Sequence, residues 1–357
     1  MATAWYVIQN RFFSIDTSNL FRIQSPKQVR LIFAGDLMQH IPQINAARTP
    51  DGSYSYTESF QDLKQIVEKA DVAILNFETT LTPRKHYTGY PLFRSPTQLA
   101  DAIKNIGIDI AVIANNHICD NGRLGIEYTT SRFDSLNIAY TGAFTDSLQY
   151  KQLNPLKFNA NGIRFALLNY TYDTNGMPIP KGIIVNLIDT VAIARDLHQI
   201  DRSETDCVIV FFHWGDEYAR QPNKEQRMLA DFCHRRGVEL VIGSHPHVIQ
   251  PIETHLDTDS LIRAITVYSL GNLVSNQRER YRNGGLLVTV DIEKLNDKPI
   301  RIKPYYTPVW VQLPSYRIIP PIVGDTLSMP ENHRASYKQF MEDTRKFLRY
   351  NEIFEEI

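Results

Sequence analysis

Side chains that can bind a metal ion occur in five short clusters along this sequence. The clusters occupy residues 35–36, 76–78, 115–120, 213–215 and 243–247. Together they offer imidazole, carboxylate and amide oxygen. This mixture suits Mn²⁺, iron or Zn²⁺ better than Mg²⁺, which prefers oxygen ligands alone. We therefore expect one or two divalent transition-metal ions as cofactors.

Several of these residues also have a purely structural interpretation when each is taken alone. Asp36 could cap a helix or occupy a turn, and Asn76 and Asn115 could simply be turn formers. His213 could be a buried histidine whose hydrogen bonds are satisfied by its neighbours. The sequence therefore supports a metal site through the number of clusters rather than through any one of these residues.

The pair His245 and His247 is harder to explain structurally. Alternate residues of an extended chain face opposite sides, so both imidazoles reach one site only if the turn at Pro246 bends the backbone. For this pair we favour metal binding over a structural role.

His117 is a candidate general acid, because Asp120 is close enough in sequence to orient its imidazole and to raise its pKa. The alternative is a histidine that caps the helix predicted to begin near residue 122. Cys119 lies in the same loop, and we expect it to pack rather than to bind metal.

The elements that must position these residues follow an α/β pattern. Short apolar runs rich in β-branched residues alternate with helical patterns, which predicts strands joined by crossover helices. The predicted strands are 29–34, 71–75, 108–114, 163–169, 206–212, 238–243 and 264–269, and the predicted helices are 58–69, 96–106, 122–136, 186–200, 223–236 and 331–357. Each cluster follows a predicted strand, at the end where such sheets gather ligands and catalytic groups.

The composition excludes several classes of protein. Of 357 residues, 43% are hydrophobic and 22% are charged, which is typical of globular proteins. Lys and Arg number 38 against 39 Asp and Glu, so no overall positive field favours nucleic acid. The three cysteines predict no disulfide framework. The apolar run at residues 2–8 is too short to span a bilayer, but it could be the end of a truncated membrane anchor.

Eight motifs in this order resemble the CapA, or PGA_cap, capsule-synthesis family, a branch of the calcineurin-like metallophosphoesterase superfamily. They are AGDLM (34–38), NFETTL (76–81), FRSP (93–96), ANNHICDNG (114–122), TG (141–142), HWGDEY (213–218), IGSHPHVIQ (242–250) and SLGNL (269–273). The resemblance implies two packed β-sheets flanked by helices, a four-layer sandwich. It divides the chain into an N-terminal segment (1–28), a metallophosphoesterase-like domain (29–320) and a C-terminal helical extension (321–357).

The resemblance also implies roles for individual residues. Asp36 and His247 would bind one metal, and Glu78 would bridge it to a second. That second metal would be bound by Asn116, His213 and His245. His117, with Asp120, would donate a proton to the leaving group, and Arg94 would bind an anionic substrate, since guanidinium pairs with carboxylate or phosphate through two parallel bonds.

Two residues depart from the superfamily pattern. Met38 stands where the first motif of the superfamily has a histidine, and Glu78 replaces the usual bridging aspartate. Thioether is a poor ligand for a hard divalent ion. The first metal position could therefore bind weakly, use another ligand such as His40, or be empty.

Two functions are compatible with these features. The first is a metal-dependent hydrolase that uses metal-activated water, with His117 as general acid, on an envelope polymer. The alternative is a non-catalytic factor that binds poly-γ-glutamate for assembly or export. The expected partners are an anionic polymer such as poly-γ-glutamate and membrane-embedded components of its synthase. The family resemblance places the protein in the cell envelope, outside the cytoplasm and associated with the membrane.

Overall fold

The computed structural model describes residues 26–296, 298–349 and 354–357 and the two strands Thr3–Ile8 and Arg11–Asp16. The strands in chain order are β1 (Thr3–Ile8), β2 (Arg11–Asp16), β3 (Lys27–Leu37), β4 (Val72–Phe77), β5 (Ile110–Val112), β6 (Ala139–Thr141), β7 (Ala143–Phe144), β8 (Leu156–Ala160), β9 (Ile163–Thr171), β10 (Ile184–Val185), β11 (Cys207–His213), β12 (Leu240–Ser244), β13 (Ile252–Leu256), β14 (Ile262–Val267), β15 (Asn272–Val274), β16 (Gly284–Lys294), β17 (Arg301–Gln312), β18 (Arg317–Ile319) and β19 (Glu355–Glu356). The helices in chain order are α1 (Ile41–Ala46), α2 (Thr57–Phe60), α3 (Lys64–Val67), α4 (Gln98–Asn105), α5 (Gly122–Leu136), α6 (Ser147–Leu153), α7 (Thr190–His198), α8 (Lys224–His234), α9 (Pro321–Gly324) and α10 (Glu331–Leu348).

Two mixed sheets form the centre of the molecule. The larger has the order β18-β17-β16-β3-β4-β5-β6, with β15 added beside β3 and β19 beside β17. The smaller has the order β13-β14-β12-β11-β9-β8. Strands β3 to β6 run parallel, as do β14, β12, β11 and β9. Each sheet therefore contains a set of adjacent parallel strands whose carboxyl ends point the same way.

Alternation along the strands sends side chains into different layers. In β3, Leu31 and Phe33 pack in the core between the two sheets, together with Phe211 of β11. The intervening residues, Ile32 and Ala34, face a second core formed with α4 and α5. On the far side of the smaller sheet, residues of β11 pack against α7 and α8. The predicted α/β architecture of two packed sheets flanked by helices is confirmed.

The boundaries of some predicted elements differ from the structure. The helix predicted at 58–69 is two short helices, α2 and α3. The helix predicted at 331–357 ends at Leu348, and Glu355–Glu356 instead pairs with β17. Helix α10 contributes Tyr337, Phe340 and Met341 to the core between the sheets, so its apolar face is tightly packed.

The sequence left open that the apolar run at residues 2–8 is the end of a truncated membrane anchor. In the structure Thr3–Ile8 is a strand that pairs with Arg11–Asp16 in antiparallel fashion. Among the residues that the structure describes, no helix has the length and apolar character needed to cross a membrane. The anchor and the three predicted segment boundaries remain predictions.

Candidate metal and catalytic site

The carboxyl ends of parallel strands from both sheets meet at one place. Asp36 lies near the end of β3, and Glu78 directly follows β4 in the larger sheet. His213 ends β11, and His245 follows β12 in the smaller sheet. All of these side chains are buried. The structure thus brings the predicted clusters together across the two sheets.

Two groups of potential metal ligands share one carboxylate. The first contains Glu78, His213 and His245, and the second contains Asp36, Glu78 and His247. Within each group the ligand atoms lie within 4.8 Å of one another. Oε1 of Glu78 is 3.5 Å from Nε2 of His213 and 3.8 Å from Nε2 of His247. Glu78 therefore occupies the position of a residue that could bridge two ions.

The turn at Pro246 explains how His245 and His247 reach the same site. Both residues have positive φ, 97° and 57°, a region that residues other than glycine seldom adopt. The backbone N–H of His245 lies 3.3 Å from Oδ2 of Asp36. Strained backbone of this kind is concentrated at functional sites. Here the positive φ angles bend the chain so that the side chains of His245 and His247 face the same cluster.

Hydrogen bonds from neighbouring residues orient the potential ligands. Asn76 donates through Nδ2 to Oδ1 of Asp36 at 2.8 Å. Oγ of Ser244 lies 3.1 Å from Nδ1 of His213. Such supporting contacts fix the ring orientation and tautomer of ligating residues. Asn76 lies within β4, so it is not a turn residue, and Asp36 is not a helix cap.

Asn272 is a member of the site that we did not assign from the sequence. Its Oδ1 lies 3.1 Å from Nδ1 of His247, and it pairs in register with Asp36 across β15 and β3. The SLGNL motif at 269–273 contains this residue. The motif was therefore the available signal, although its function required the three-dimensional pairing.

The electrostatics of the cluster fit a bound cation. Burial, with the nearby Asp36 charge, raises the pKa of Glu78 well above its usual value. Burial also lowers the pKa values of His213 and His245 well below the usual value, which keeps the imidazoles neutral, the form that binds metal. Oε1 of Glu78 and Nδ1 of His245 are buried and have no hydrogen-bond partner among the described residues. These unpartnered acceptors in a His and carboxylate set fit a divalent metal ion.

Asn116 and Asn115 have different environments. Oδ1 of Asn116 lies 2.8 Å from Nε2 of His213, and its Nδ2 donates to Asn175 at 3.2 Å. The amide oxygen is therefore directed at the first ligand group. Asn115 instead donates to the carbonyl of Phe77 and accepts from the backbone of His117, which is the structural role of a turn residue.

His117 and Asp120 form a buried pair beside the ligand groups. Nδ1 of His117 lies 2.8 Å from Oδ2 of Asp120, and the edge of the Phe93 ring packs against the imidazole. The backbone N–H of Phe93 also donates to Asp120 at 2.6 Å. Helix α5 begins at Gly122 with Asn121 as its N-cap, so His117 does not cap it. Cys119 is buried, and burial raises the pKa of its thiol to about 11.

Three other residues discussed from the sequence make no side-chain hydrogen bond or ion pair with the ligand groups. Arg94 makes no side-chain hydrogen bond or ion pair within the described chain, and its Nε is buried. His40 belongs to neither ligand group, and its Nδ1 lies 3.1 Å from Gln43 Oε1. Met38 is fully buried. Among the described residues, His40 lies in the wall of the same cleft as His247 but outside the ligand groups, and the thioether of Met38 is a poor ligand for a hard divalent ion.

A cleft of about 380 Å³ opens beside the second ligand group. Both His247 and His117 lie in its wall. The other lining residues are Met38, His40, Tyr90, Glu217, Tyr218, Asn276, Gln277, Arg278, Glu279 and Arg282. Arg94 is not among them. A substrate in this cleft would contact both the candidate metal site and the candidate acid.

Comparisons with known proteins identify similar sequences. A family model described as “Bacterial capsule synthesis protein PGA_cap” matches residues 30–277. PGA biosynthesis protein CapA of Bacillus subtilis (strain 168) is 27% identical over 280 residues, covering 73% of this chain and 67% of that protein. Capsule biosynthesis protein CapA of Bacillus anthracis is 27% identical over 266 residues, covering 70% of this chain and 61% of that protein.

Among solved structures, the NAD nucleotidase of Haemophilus influenzae superposes with a TM-score of 0.48 at 9% sequence identity. The superposition covers 94% of this chain and 58% of that chain. The present chain thus spans at most about two thirds of the length of each of these three proteins.

Proposed function

This chain belongs to the bacterial capsule synthesis protein family PGA_cap, and on that premise we propose that it is a metal-dependent hydrolase of an anionic envelope polymer. Poly-γ-glutamate is the leading candidate polymer, because similar proteins are named for PGA and capsule biosynthesis. The bond cleaved would be a γ-glutamyl amide or a phosphoester. The chemistry of the site supports either bond.

The observation that carries this proposal is the buried pair of His117 and Asp120, of which His117 lies in the wall of the same cleft as His247. Asp120 holds the imidazole through Nδ1, as the carboxylate orients the histidine in other acid–base pairs. A site that only held carboxylates would need cations but no proton donor. We assign proton transfer to the leaving group to His117 and its orientation to Asp120.

The remaining residues prepare the site for such chemistry. When bound, a divalent ion supplies Lewis acidity that stabilises negative charge on a reacting oxygen. Asp36, Glu78 and His247 would hold one ion, and Glu78, Asn116, His213 and His245 would hold the other. Asn76, Ser244 and Asn272 keep these side chains oriented, and the ligand residues are themselves buried.

Met38 favours a second candidate, a non-catalytic factor that binds the polymer for assembly or export. The second ligand group has only Asp36, Glu78 and His247, and the buried thioether of Met38 adds no suitable ligand. A site with one well-bound ion could hold carboxylates without cleaving a bond. The two candidates make different predictions for His117.

The test is to assay the purified full chain, loaded with Mn²⁺ or Zn²⁺, on γ-glutamyl oligomers and on bis(p-nitrophenyl) phosphate. We expect His117→Ala to retain metal and oligomer affinity while turnover falls by about 10²- to 10⁴-fold, the usual contribution of a general acid. His198→Ala, at an exposed position on α7, is the matched control. Metal-dependent oligomer binding without turnover in the wild type would instead establish the binding factor.

We also propose that the native protein works in the cell envelope, outside the cytoplasm and held at the membrane, with synthase components as partners. The basis is the capsule role in the names of similar proteins. Fractionation of cells that express the natural reading frame tests this. Recovery entirely in the cytosolic fraction would contradict it.

A further inference from the structure

Arg282 presents an uncommitted guanidinium group to the cleft. Its guanidinium carbon lies 3.4 Å from the centre of the Tyr218 ring, in stacking contact. Among the described residues its only ion pair is with Glu279 at 3.5 Å. The Glu279 side chain is 66% exposed, and exposed pairs of this kind are weak. Stacking fixes the plane of the guanidinium and leaves its N–H edge free for another acceptor.

The backbone of Arg282 is tied to the candidate metal site. Nδ2 of Asn272 donates to the carbonyl of Arg282 at 2.8 Å, while Oδ1 of the same Asn272 contacts His247. The Tyr218 ring lies 6.2 Å from the ring of His247. The Tyr218 ring therefore lies beside both the guanidinium of Arg282 and the imidazole of His247, in contact with the first and close to the second. One asparagine thus holds both a potential metal ligand and the arginine beside it.

Arg282 belongs to the loop between β15 and β16, residues 275–283. The other two arginines of this loop form hydrogen bonds that stabilise its conformation. Arg278 donates to the carbonyls of Ser275 and Val311 at 2.6 and 3.2 Å. Arg280 forms two hydrogen bonds with Asp343 of α10 at 2.7 and 2.8 Å. Of these three arginines, Arg282 alone makes no hydrogen bond through its guanidinium to the described residues, whereas Arg278 retains only a buried Nε without a partner.

A second contact braces the same loop against α10. The guanidinium of Arg220 lies between the rings of Tyr281 and Phe347, 4.0 and 3.9 Å from their centres. Tyr281 immediately precedes Arg282, and Phe347 belongs to α10. The loop is therefore anchored before ligand arrives, which reduces the entropy lost on binding.

We propose that Arg282 forms an anion subsite that binds a carboxylate or phosphate group of the substrate adjacent to the group held at the metal site. This inference rests on the proposed function for the identity of the substrate, but not for the existence of the subsite. A guanidinium edge binds either anion through two parallel N–H bonds. A chain with an acidic group on every residue can occupy both positions at once. The anion-binding role predicted for Arg94 remains a separate prediction, and Arg282 provides a further guanidinium that lines the cleft.

Glu217 and Glu279 also line the cleft. Their negative charges repel anions, so the subsite does not favour every anionic ligand. A ligand must displace Glu279 toward solvent and approach the free edge of Arg282. We therefore expect stronger binding by a ligand with two or more acidic groups than by one with a single acidic group.

The experiment measures binding of inorganic phosphate and of a fluorescent γ-glutamyl octamer to metal-loaded full chain by calorimetry and anisotropy. Arg282→Ala should weaken both by about 10- to 100-fold, as expected for a charge-assisted hydrogen bond. Arg282→Lys keeps the charge but not the planar fork, so it should restore binding only in part. Arg235→Ala, which removes an exposed arginine at the end of α8, is the matched control and should bind as the wild type does.

The outcomes separate this inference from the proposed function. If Arg282→Ala binds phosphate and octamer as tightly as Arg235→Ala does, the subsite is wrong while polymer recognition stands. If the wild type binds phosphate through Arg282 but does not bind the octamer, the subsite stands and the polymer is wrong. If the wild type binds neither, both are overturned. Metal content and circular dichroism of each variant verify that the fold and ligand groups are intact.

Discussion

Replacing Glu78 with glutamine separates the cost of burying this carboxyl group from its value as a metal ligand. In the metal-free protein the side chain is fully buried, its Oε1 has no partner among the described residues, and burial with the nearby Asp36 raises its pKa. Glutamine has nearly the same shape and no charge, and its amide can donate to the neighbouring carboxylate of Asp36, with which Glu78 shares a hydrogen bond. We expect Glu78→Gln to be more stable than the wild type without metal and less stable with it.

The magnitude follows from the environment of Glu78. A buried polar group without a partner costs about 1–3 kcal/mol, which is the gain expected in the free energy of unfolding of the metal-free variant. For 357 residues the entropy of unfolding is roughly 0.75 kcal/mol/K, so this gain raises the unfolding midpoint by about 1–4 °C. Metal at 100 times its Kd adds about 2.7 kcal/mol to the wild type, and less to a variant that lacks the carboxylate shared by both groups.

The pH dependence has a definite sign. Because the folded pKa of Glu78 is raised, the folded protein binds the proton more tightly than the unfolded chain does. The metal-free wild type therefore loses stability as pH rises from the ordinary glutamate range toward the folded pKa. Glu78→Gln has no such dependence at this position, so its advantage grows with pH over that window.

Calorimetric unfolding in EDTA and in Mn²⁺, at pH 5 and pH 8, measures all three effects. Glu279→Gln neutralises an exposed carboxylate nearby and should change stability by less than about 0.5 kcal/mol in either condition. If Glu78→Gln is less stable than the wild type in EDTA at both pH values, and gains as much from metal as the wild type does, then our description of the buried cluster is wrong.

Three further predictions concern the same region. His245→Ala should lower the bound metal measured by elemental analysis while circular dichroism is unchanged, and an unaltered stoichiometry would remove His245 from the site. Asn272→Ala should weaken metal binding by about 10- to 100-fold, the usual effect of losing a residue that orients a ligand, and a Kd equal to that of the wild type would contradict this role. Gly35→Ala would place a Cβ 2.0 Å from the carbonyl oxygen of Gly271, so we expect a loss of at least about 1–3 kcal/mol on unfolding in urea; wild-type stability would show that the backbone there can move.

The central elements of the fold could be predicted because their local and tertiary requirements agree. Strand β11 is buried along its whole length and appears in the sequence as a continuous apolar run. Helix α5 was predicted at 122–136 and is observed over the same residues. The edge strands β8 and β13 were missed because each has five residues of which only the first is buried, a pattern that is weak without its partner strand.

Tertiary contacts account for the other differences. The segment predicted as one helix at 58–69 is interrupted near Asp62, whose carboxylate pairs with Arg317 of β18 at 2.5 Å. Past α10, Glu356 pairs with Arg345 at 2.8 Å while its strand joins β17. Arg317 and strand β17 are both distant in sequence from the segments they contact, so periodicity alone does not reveal these contacts.

In the candidate site, too, some residues could be predicted from the local sequence pattern and others depend on tertiary contacts. Polar residues after apolar runs indicated Asp36, Glu78 and His213, because parallel strands present their carboxyl ends at one edge. Asn272 and Arg282 were not identified, because their positions depend on β15 returning beside β3 and on the loop that follows it. Arg94 was chosen from a motif, and its side chain does not line the cleft.

Both ligand groups draw side chains from the two sheets: Glu78 and Asp36 come from the larger, and His213, His245 and His247 from the smaller. A metal ion held by either group would therefore link the two sheets. The distance between the sheets is set by residues far from the ion, such as Phe33 and Phe211 in the core between them. Substitutions there change the sheet separation and hence the ligand spacing. The metal affinity should therefore change when residues of this distant core are substituted, even though they do not contact the ion.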